Sequence, residues 1–453
     1  MEINTAIVAG TGKSGISATK LLVNHGVKVY LFDENKDRDI EAIKEKTGDS
    51  ELVQIELGEL GEDALSSSQL MVISPGIPVD APFTDVVRNA GIPIWSEIEL
   101  AYHYGKGKIA AITGTNGKTT TTALVGEIVK AHNAKTIVVG NIGIPYTELC
   151  DTTDDDSDTV AEISSFQLET VIDFHPNVSA ILNLTPDHLN RHYTFENYGN
   201  VKFSITKNQT MDDVTVLNYD DEHTRAMGEK AKDHCHVVYF SRLEKPAGGV
   251  YVEDGDIILE DGDKKINVLA IKDLKLMGAH NVENVLAAVG ISYYMGVPVD
   301  VIRDVATSFK AVAHRIEYVD TIDGVAYYND SKGTNPDAAI KGIQAMVAPT
   351  FLIGGGYDKG SEYDEWIEAF DGKVKWLVLI GQTAQKIADC AKRHGFNSII
   401  FEENLQDAVA YCHENAVDGD AVLLSPACAS WGMFPNYEER GRIFKEIVKG
   451  FKE

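Results

Sequence analysis

"AAITGTNGKTTTTALVGEI", residues 110–128, holds an apolar strand-like run, a glycine loop and the start of a helical pattern, in that order. The common phosphate-gripping form is G-x-x-x-x-G-K-[ST]. Here the loop is Gly114-Thr115-Asn116-Gly117-Lys118-Thr119, two residues shorter. Its chemistry still suits a nucleotide. Glycines let successive N–H groups converge on phosphate oxygens, and the helix N-terminus adds positive potential. Lys118 is spaced to reach the β- and γ-phosphates, and the Thr119 hydroxyl to ligate Mg²⁺. A glycine-rich turn with an incidental lysine is the plain alternative. The short spacing leaves open a broken loop, a chance match or a different machine.

Strand, glycine turn and helix alternate along the whole chain, which predicts parallel, doubly wound sheets. A first group contains TAIVAG, VKVYLFD and LMVISPG. A second contains KIAAITGT, AKTIVVGNIG, TVAEISS, VSAILNLT and VTVLNY. A third contains PTFLIGGG, VKWLVLIG, NSIIFE and DAVLLSPA. The expected fold class is therefore α/β with three domains, broken near 98 and 311. Residues 1–98 make a Rossmann-like N-terminal domain. Residues 99–311 make a central P-loop ATPase-type parallel sheet, and 312–453 a Rossmann-like C-terminal domain. Within the central domain, GGVYVEDGDIILEDGDKKINVLAI predicts a small antiparallel insert, with EDGD turns at its bends. CDTTDDDSD (150–158) reads as a solvated acidic loop.

The 453 residues suit two or three domains. With 41 basic against 69 acidic residues, the net charge is −28, which argues against a nucleic-acid partner. A local basic pocket for a small anion remains compatible. Five cysteines without a C-x-x-C pair predict reduced, mostly buried thiols in a cytoplasmic enzyme. No signal segment and no apolar run near 18 residues is evident, so a soluble protein with no membrane partner is expected.

Gly10-Thr11-Gly12-Lys13-Ser14-Gly15 fits G-x-G-x-x-G after a strand, and Asp33 ends the next strand. By spacing this is a dinucleotide fingerprint, in which the acid holds a ribose hydroxyl. A ligand-free tight turn is the plain alternative. The loop recognises a diphosphate beside a sugar, so any nucleoside diphosphate suits it. A NAD-dependent dehydrogenase is a second alternative, but no His with an Asp partner can be assigned to hydride transfer.

Three clusters follow the short loop. Glu162 ends a strand, as a metal-holding carboxylate at a sheet rim would, or as a surface acid would. His188 lies past another strand end in NLTPDHLNRH, where a lone His is often structural. Lys202 lies in FENYGNVKFSIT, a helix on which a lysine usually faces water. Together these clusters and G-T-N-G-K-T resemble the Mur ligase family of ATP-dependent amide-forming enzymes of peptidoglycan precursor synthesis. GNIG (140–143), EISSFQLE (162–169), DHLNRH (187–192) and HNVENVLAA (280–288) fit the same pattern, and the likeness spans essentially the full chain. In that family the short loop is complete. YYNDSKGTNPDA (327–338) and LLSPACASWGMF (423–434) look like the D-glutamate-adding members, and the D-N-P-R motif of diaminopimelate-adding relatives is absent. A folylpolyglutamate synthase-like enzyme, the other alternative, shares the ATP core but lacks a uridine-nucleotide domain.

The resemblance implies an ATP-dependent ligase that adds D-glutamate to UDP-N-acetylmuramoyl-L-alanine (UDP-MurNAc-L-Ala) through an acyl phosphate. It implies a monomer acting on small molecules with ATP and two Mg²⁺ ions. Lys118, His188 and Lys202 would be catalytic. ATP would be held by Gly114, Thr115, Asn116, Gly117, Lys118, Thr119 and Thr120, with Asn284 at adenine, Arg315 at the phosphates and Asp330 at the ribose. Thr119, Glu162, His188 and Lys202 would serve the metals, Lys202 as a carbamate formed with CO₂. Ser14, Asp33, Ser74 and Gly76 would hold the uridine diphosphate part, and Asn141 the muramoyl part. Lys332, Thr334, Ser430 and Tyr437 would enclose D-glutamate. Lys13 falls where the family varies, and GGGYDKG (354–360) departs slightly in spacing from some relatives.

Overall fold

In the computed structural model, residues 3–276, 278–310 and 313–452 are described. Three sheets carry the chain, each built largely from the apolar runs above. The first is a parallel sheet of β1 (Thr5–Ala9), β2 (Lys28–Asp33), β3 (Val53–Leu57), β4 (Leu70–Ile73) and β5 (Ile94–Ser96), in the order β3-β2-β1-β4-β5. Chain order reverses between β1 and β4, and such a switch point opens a crevice for a ligand at the strands' carboxyl ends. Gly10 follows β1 there, and Ser74 follows β4.

The second sheet begins with β6 (Lys108–Thr113), β7 (Ile137–Gly140), β8 (Asp158–Glu162), β9 (Val178–Ile181) and β10 (Val214–Asn218). It continues through β11 (His236–Ser241), β12 (Gly249–Glu253), β13 (Asp256–Asp261) and β14 (Lys264–Ala270). Its order is β14-β13-β12-β11-β10-β9-β6-β8-β7, so β6, which feeds the phosphate loop, lies inside the sheet between β9 and β8. That explains why KIAAIT is apolar on both faces rather than alternating. The expected insert is β12 to β14, paired antiparallel. Its first bend places Asp254 and Gly255 at φ of 51° and 86°, the left-handed pair that a tight hairpin requires.

The sheets β1–β5 and β6–β14 belong to one compact unit, residues 1–273 with 283–307. The expected break near 98 falls inside the helix Glu97–Tyr104, whose two acids are buried. Glu99 accepts backbone N–H bonds from Ile172, Asp173 and Phe174 at 2.9, 2.7 and 3.0 Å. Glu97 accepts from Gln167 Nε2 at 2.8 Å. One apolar cluster runs from Ala6 and Val29 through Trp95 and Leu100 to Ala111 and Ile181. These contacts weld the two sheets.

The other unit comprises residues 274–282 and 308–453. The expected break at 311 falls on residues 311–312, outside the described residues. Its sheet contains β15 (Glu317–Ile322), β16 (Val325–Asn329), β17 (Thr350–Gly354), β18 (Val374–Leu379), β19 (Ile399–Phe401) and β20 (Ala421–Leu424). The order is β15-β16-β20-β17-β18-β19, with only β15 antiparallel to its neighbour. Leu352, Leu377 and Leu423 face one core, and Phe351, Val378 and Val422 the other, as two-residue periodicity dictates.

Candidate active site

The phosphate loop is held open by its neighbours. Thr115 N–H donates to Asn183 O at 3.1 Å, and Asn116 N–H to Asn183 Oδ1 at 2.8 Å. Gly117 has φ 82°, and a Cβ there would lie 2.3 Å from Asn284 Oδ1, so only glycine fits. As N-cap of the helix Lys118–His132, Gly117 offers the first-turn N–H groups no side-chain cap. Such an end suits an anion. Lys118 Nζ donates to the carbonyls of Gly114 and Thr115, both at 2.8 Å. Thr119 and Thr120 are buried below it, and Thr121 Oγ1 pairs with Asn284 Oδ1 at 3.3 Å. Gly114 to Thr120 and Asn284 thus converge.

Beside β6, Glu162 ends β8 and is 1% exposed. Its Oε1 accepts from Asn141 Nδ2 at 2.7 Å, so Asn141 is tied to Glu162. Its Oε2 is buried without a hydrogen-bond partner among the described residues. A carboxylate oxygen left so costs about 1–3 kcal/mol or more unless a cation meets it. Lys202, in the helix Phe195–Phe203, is also 1% exposed. Its Nζ lies 2.9 Å from Gly114 O, 3.4 Å from Thr113 Oγ1 and 4.7 Å from the centre of the Tyr198 ring. Burial, reinforced by the charge of Lys118 and opposed by Asp187 and Glu162, holds Lys202 well below the ordinary lysine value. His188 stands at the rim with φ 53°, its ring packed on Phe166 and near Asp187. The orphaned carboxylate oxygen and the Thr119 hydroxyl are oxygen donors of the kind a hard divalent cation takes.

At the β1/β4 switch point, Gly10 has φ 103°, and a Cβ there would lie 2.7 Å from Ser74 Oγ. Ser74 Oγ is itself buried without a hydrogen-bond partner among the described residues. Ser14 lies in the first turn of the helix Lys13–Asn24, and Gly76 is exposed in the loop after Ser74. Asp33 Oδ2 accepts from Thr11 N and Oγ1 at 3.1 and 2.6 Å, which braces the glycine loop. Burial pulls this carboxyl upward, but bonds from Thr11 and Asn35 and the charge of Arg38 outweigh it and keep it ionised.

Several residues here escape a reading of the sequence. Arg191 clasps Glu169 with two bonds of 3.1 and 2.5 Å and donates to Ile77 O at 2.8 Å, fixing the loop that carries Ser74 and Gly76. Buried His192 lies 2.9 Å from Ser165 Oγ, its pKa pulled down to about 4 by burial. The Lys13 ammonium reaches Gly143 O, joining the first glycine loop to the GNIG turn.

In the C-terminal unit, Lys332 and Thr334 follow β16, and Ser430 follows β20. Tyr437 begins the helix Tyr437–Gly450, with Lys332 Nζ 5.3 Å from its ring centre. Buried Arg440, absent from the sequence-based set, donates to Ser331 Oγ, Ser331 O and Cys428 O at 3.0, 2.7 and 3.2 Å. It therefore holds together the two loops that present Lys332 and Ser430. Asp330 is enclosed, accepting from Ser425 Oγ at 2.7 Å, and burial raises its pKa to about 7. Arg315 Nε is buried without a hydrogen-bond partner among the described residues.

Comparison with known proteins covers the same three regions. Residues 4–96 match the family description "Mur ligase MurD-like, N-terminal domain". Residues 112–292 match "Mur ligase middle domain", and 314–428 "Mur ligase, glutamate ligase domain". The chain is 56% identical over 448 residues to the UDP-N-acetylmuramoylalanine–D-glutamate ligase of Lachnospira eligens, covering 99% of each. It is 46% identical over 450 residues to the Clostridioides difficile protein of that name, covering 98% of each. Among solved structures, UDP-N-acetylmuramate-alanine ligase MurC from Thermotoga maritima shares the fold at TM-score 0.62 and 19% identity, over 99% of this chain and 100% of that one. MurF from Acinetobacter baumannii does so at 0.62 and 16%, over 98% and 93%.

Proposed function

The chain belongs to the Mur ligase family, and from that premise we propose that it joins D-glutamate to UDP-MurNAc-L-Ala at the expense of ATP, in peptidoglycan precursor synthesis. The observation that carries the mechanism is the convergence of Lys118, Lys202 and the orphaned Glu162 oxygen around the complete short loop. We read the three sheets as a uridine-nucleotide domain (1–98), an ATP domain (99–311) and a D-glutamate domain (312–453). Cytoplasmic residence is supported by five buried free cysteines. Among the described residues no helix is long and apolar enough to cross a membrane.

The substrate carboxylate attacks the γ-phosphorus of ATP, ADP leaves, and an acyl phosphate forms. The D-glutamate amine, having lost a proton, attacks the acyl carbon, and the tetrahedral intermediate collapses to amide and phosphate. Lys118 and the N–H groups of its helix stabilise charge on the transferring phosphoryl oxygens. Thr119, Glu162, His188 and Lys202 would hold Mg²⁺, which when bound neutralises phosphoryl charge. Lys202 as an ammonium does not suit that task. Its amine nitrogen adds to the carbon of CO₂ and sheds a proton, and the resulting carbamate offers anionic oxygens instead. Burial favours this by disfavouring the ammonium. Asn284, Arg315 and Asp330 would orient ATP. Ser14, Asp33, Ser74, Gly76 and Asn141 would hold the UDP substrate, the Ser74 loop being steadied by Arg191. Lys332, Thr334, Ser430 and Tyr437 would receive the two carboxylates of D-glutamate, which need convergent donors to offset their desolvation.

Isotope transfer tests this route. With ¹⁸O in both oxygens of the substrate's alanyl carboxylate, one label should appear in the released phosphate and the other in the amide. Phosphate free of label would exclude the acyl phosphate.

A further inference from the structure

Apart from the loops discussed above, three metal-ligating side chains of the C-terminal unit meet: Asp364, Cys390 and His394, with ligand atoms all within 4.8 Å of one another. Asp364 opens the helix Asp364–Glu368, Cys390 lies in the helix Ala384–Arg393, and His394 is that second helix's C-cap. Cys390 and His394 are therefore one turn apart on one face. His394 Nε2 lies 2.8 Å from Asp364 Oδ1, while its Nδ1 lies 3.7 Å from Glu368 Oε1. The thiol is 2% exposed, whereas the imidazole and the Asp364 carboxylate are 25% and 45% exposed. This gradient places the sulfur at the floor and the other two donors at an open rim.

We propose that Asp364, Cys390 and His394 form a binding site for a thiophilic divalent transition-metal ion of the zinc class, with water as a fourth ligand. One sulfur, one nitrogen and one oxygen donor are what such an ion takes, and Mg²⁺ does not. Bonds of about 2.0–2.3 Å in a tetrahedron separate the donors by roughly 3.3–3.8 Å, so small side-chain shifts close the shell. Glu368, 3.7 Å from the second imidazole nitrogen, would close to hydrogen-bond distance as the outer carboxylate that typically orients a metal-bound imidazole. Binding replaces the thiol proton and displaces Arg393, now 3.3 Å from Asp364, from that carboxylate. The ion would clip the two helices together. The other similar grouping, Glu99 with His103 and Asp173, differs because Glu99 is already occupied by three backbone N–H groups.

Cobalt(II) titration of the full-length chain, stripped with chelator, reads this directly. One equivalent should give a thiolate-to-cobalt charge-transfer band and intense tetrahedral d–d absorption, displaced by Zn²⁺ but not by excess Mg²⁺. Cys390→Ser should abolish the charge-transfer band, and Glu368→Gln should weaken cobalt binding about 10–100-fold. Should Cys390→Ser fail to fold, His394→Gln at the rim must weaken binding equally. No charge-transfer band, or a band unchanged by either ligand substitution, would overturn the proposal.

Discussion

Lys202→Ala should lose nearly all ligase activity, at least about 10³-fold, the upper end for one removed transition-state contact. A short added carboxylic acid such as acetate should restore part of it. The side chain is buried beside Gly114 and Thr113, so truncation leaves a cavity where the carbamate oxygens would stand. An ordinary lysine amine is neutral in only about one molecule in a few thousand at pH 7. Burial and the charge of Lys118 shift Lys202 toward the neutral form that reacts with CO₂. A buried lysine that merely braces the loop as an ammonium makes the opposite forecast. In that case methylammonium, not acetate, would rescue, and removal of CO₂ would leave wild-type activity untouched.

Lys118→Ala should lower kcat by about 10²–10³, the typical loss when one preorganised donor to the developing charge is removed. The ammonium is held by two loop carbonyls, so the substitution also loosens the loop. Steady-state kinetics separates the two effects. Loss of a transition-state contact reduces kcat and kcat/KM together, whereas loss of loop order alone raises the KM for ATP. Near-normal kcat in a folded Lys118→Ala protein would make the lysine structural.

Strands buried on both faces were legible because their apolar runs leave little choice; TAIVA, KIAAIT and AVLL stand in the sheets as expected. Less apolar strands, such as VQIEL at β3 and VAYYN at β16, lack that signature because each is only partly covered. The break near 98 illustrates a different limit. That position lies between Glu97 and Glu99, both buried by partners about 50 to 75 residues away. Lys202 was legible as a helix residue but not as a buried one, since burial depends on β6 and Tyr198 packing over it. The clasp of Arg191 on Glu169 and the buried Arg440 depend on contacts between distant segments, which one sequence does not display.

The most direct test of the central claim is ADP release with UDP-MurNAc-L-Ala and a panel of amino acids. D-glutamate alone should support turnover, as the proposed function requires: Lys332, Thr334, Ser430 and Tyr437 would receive its α- and γ-carboxylates, and Lys332 Nζ lies 5.3 Å from the Tyr437 ring centre. Comparable ADP release with L-glutamate, L-lysine or diaminopimelate, or none with any acceptor, would contradict it.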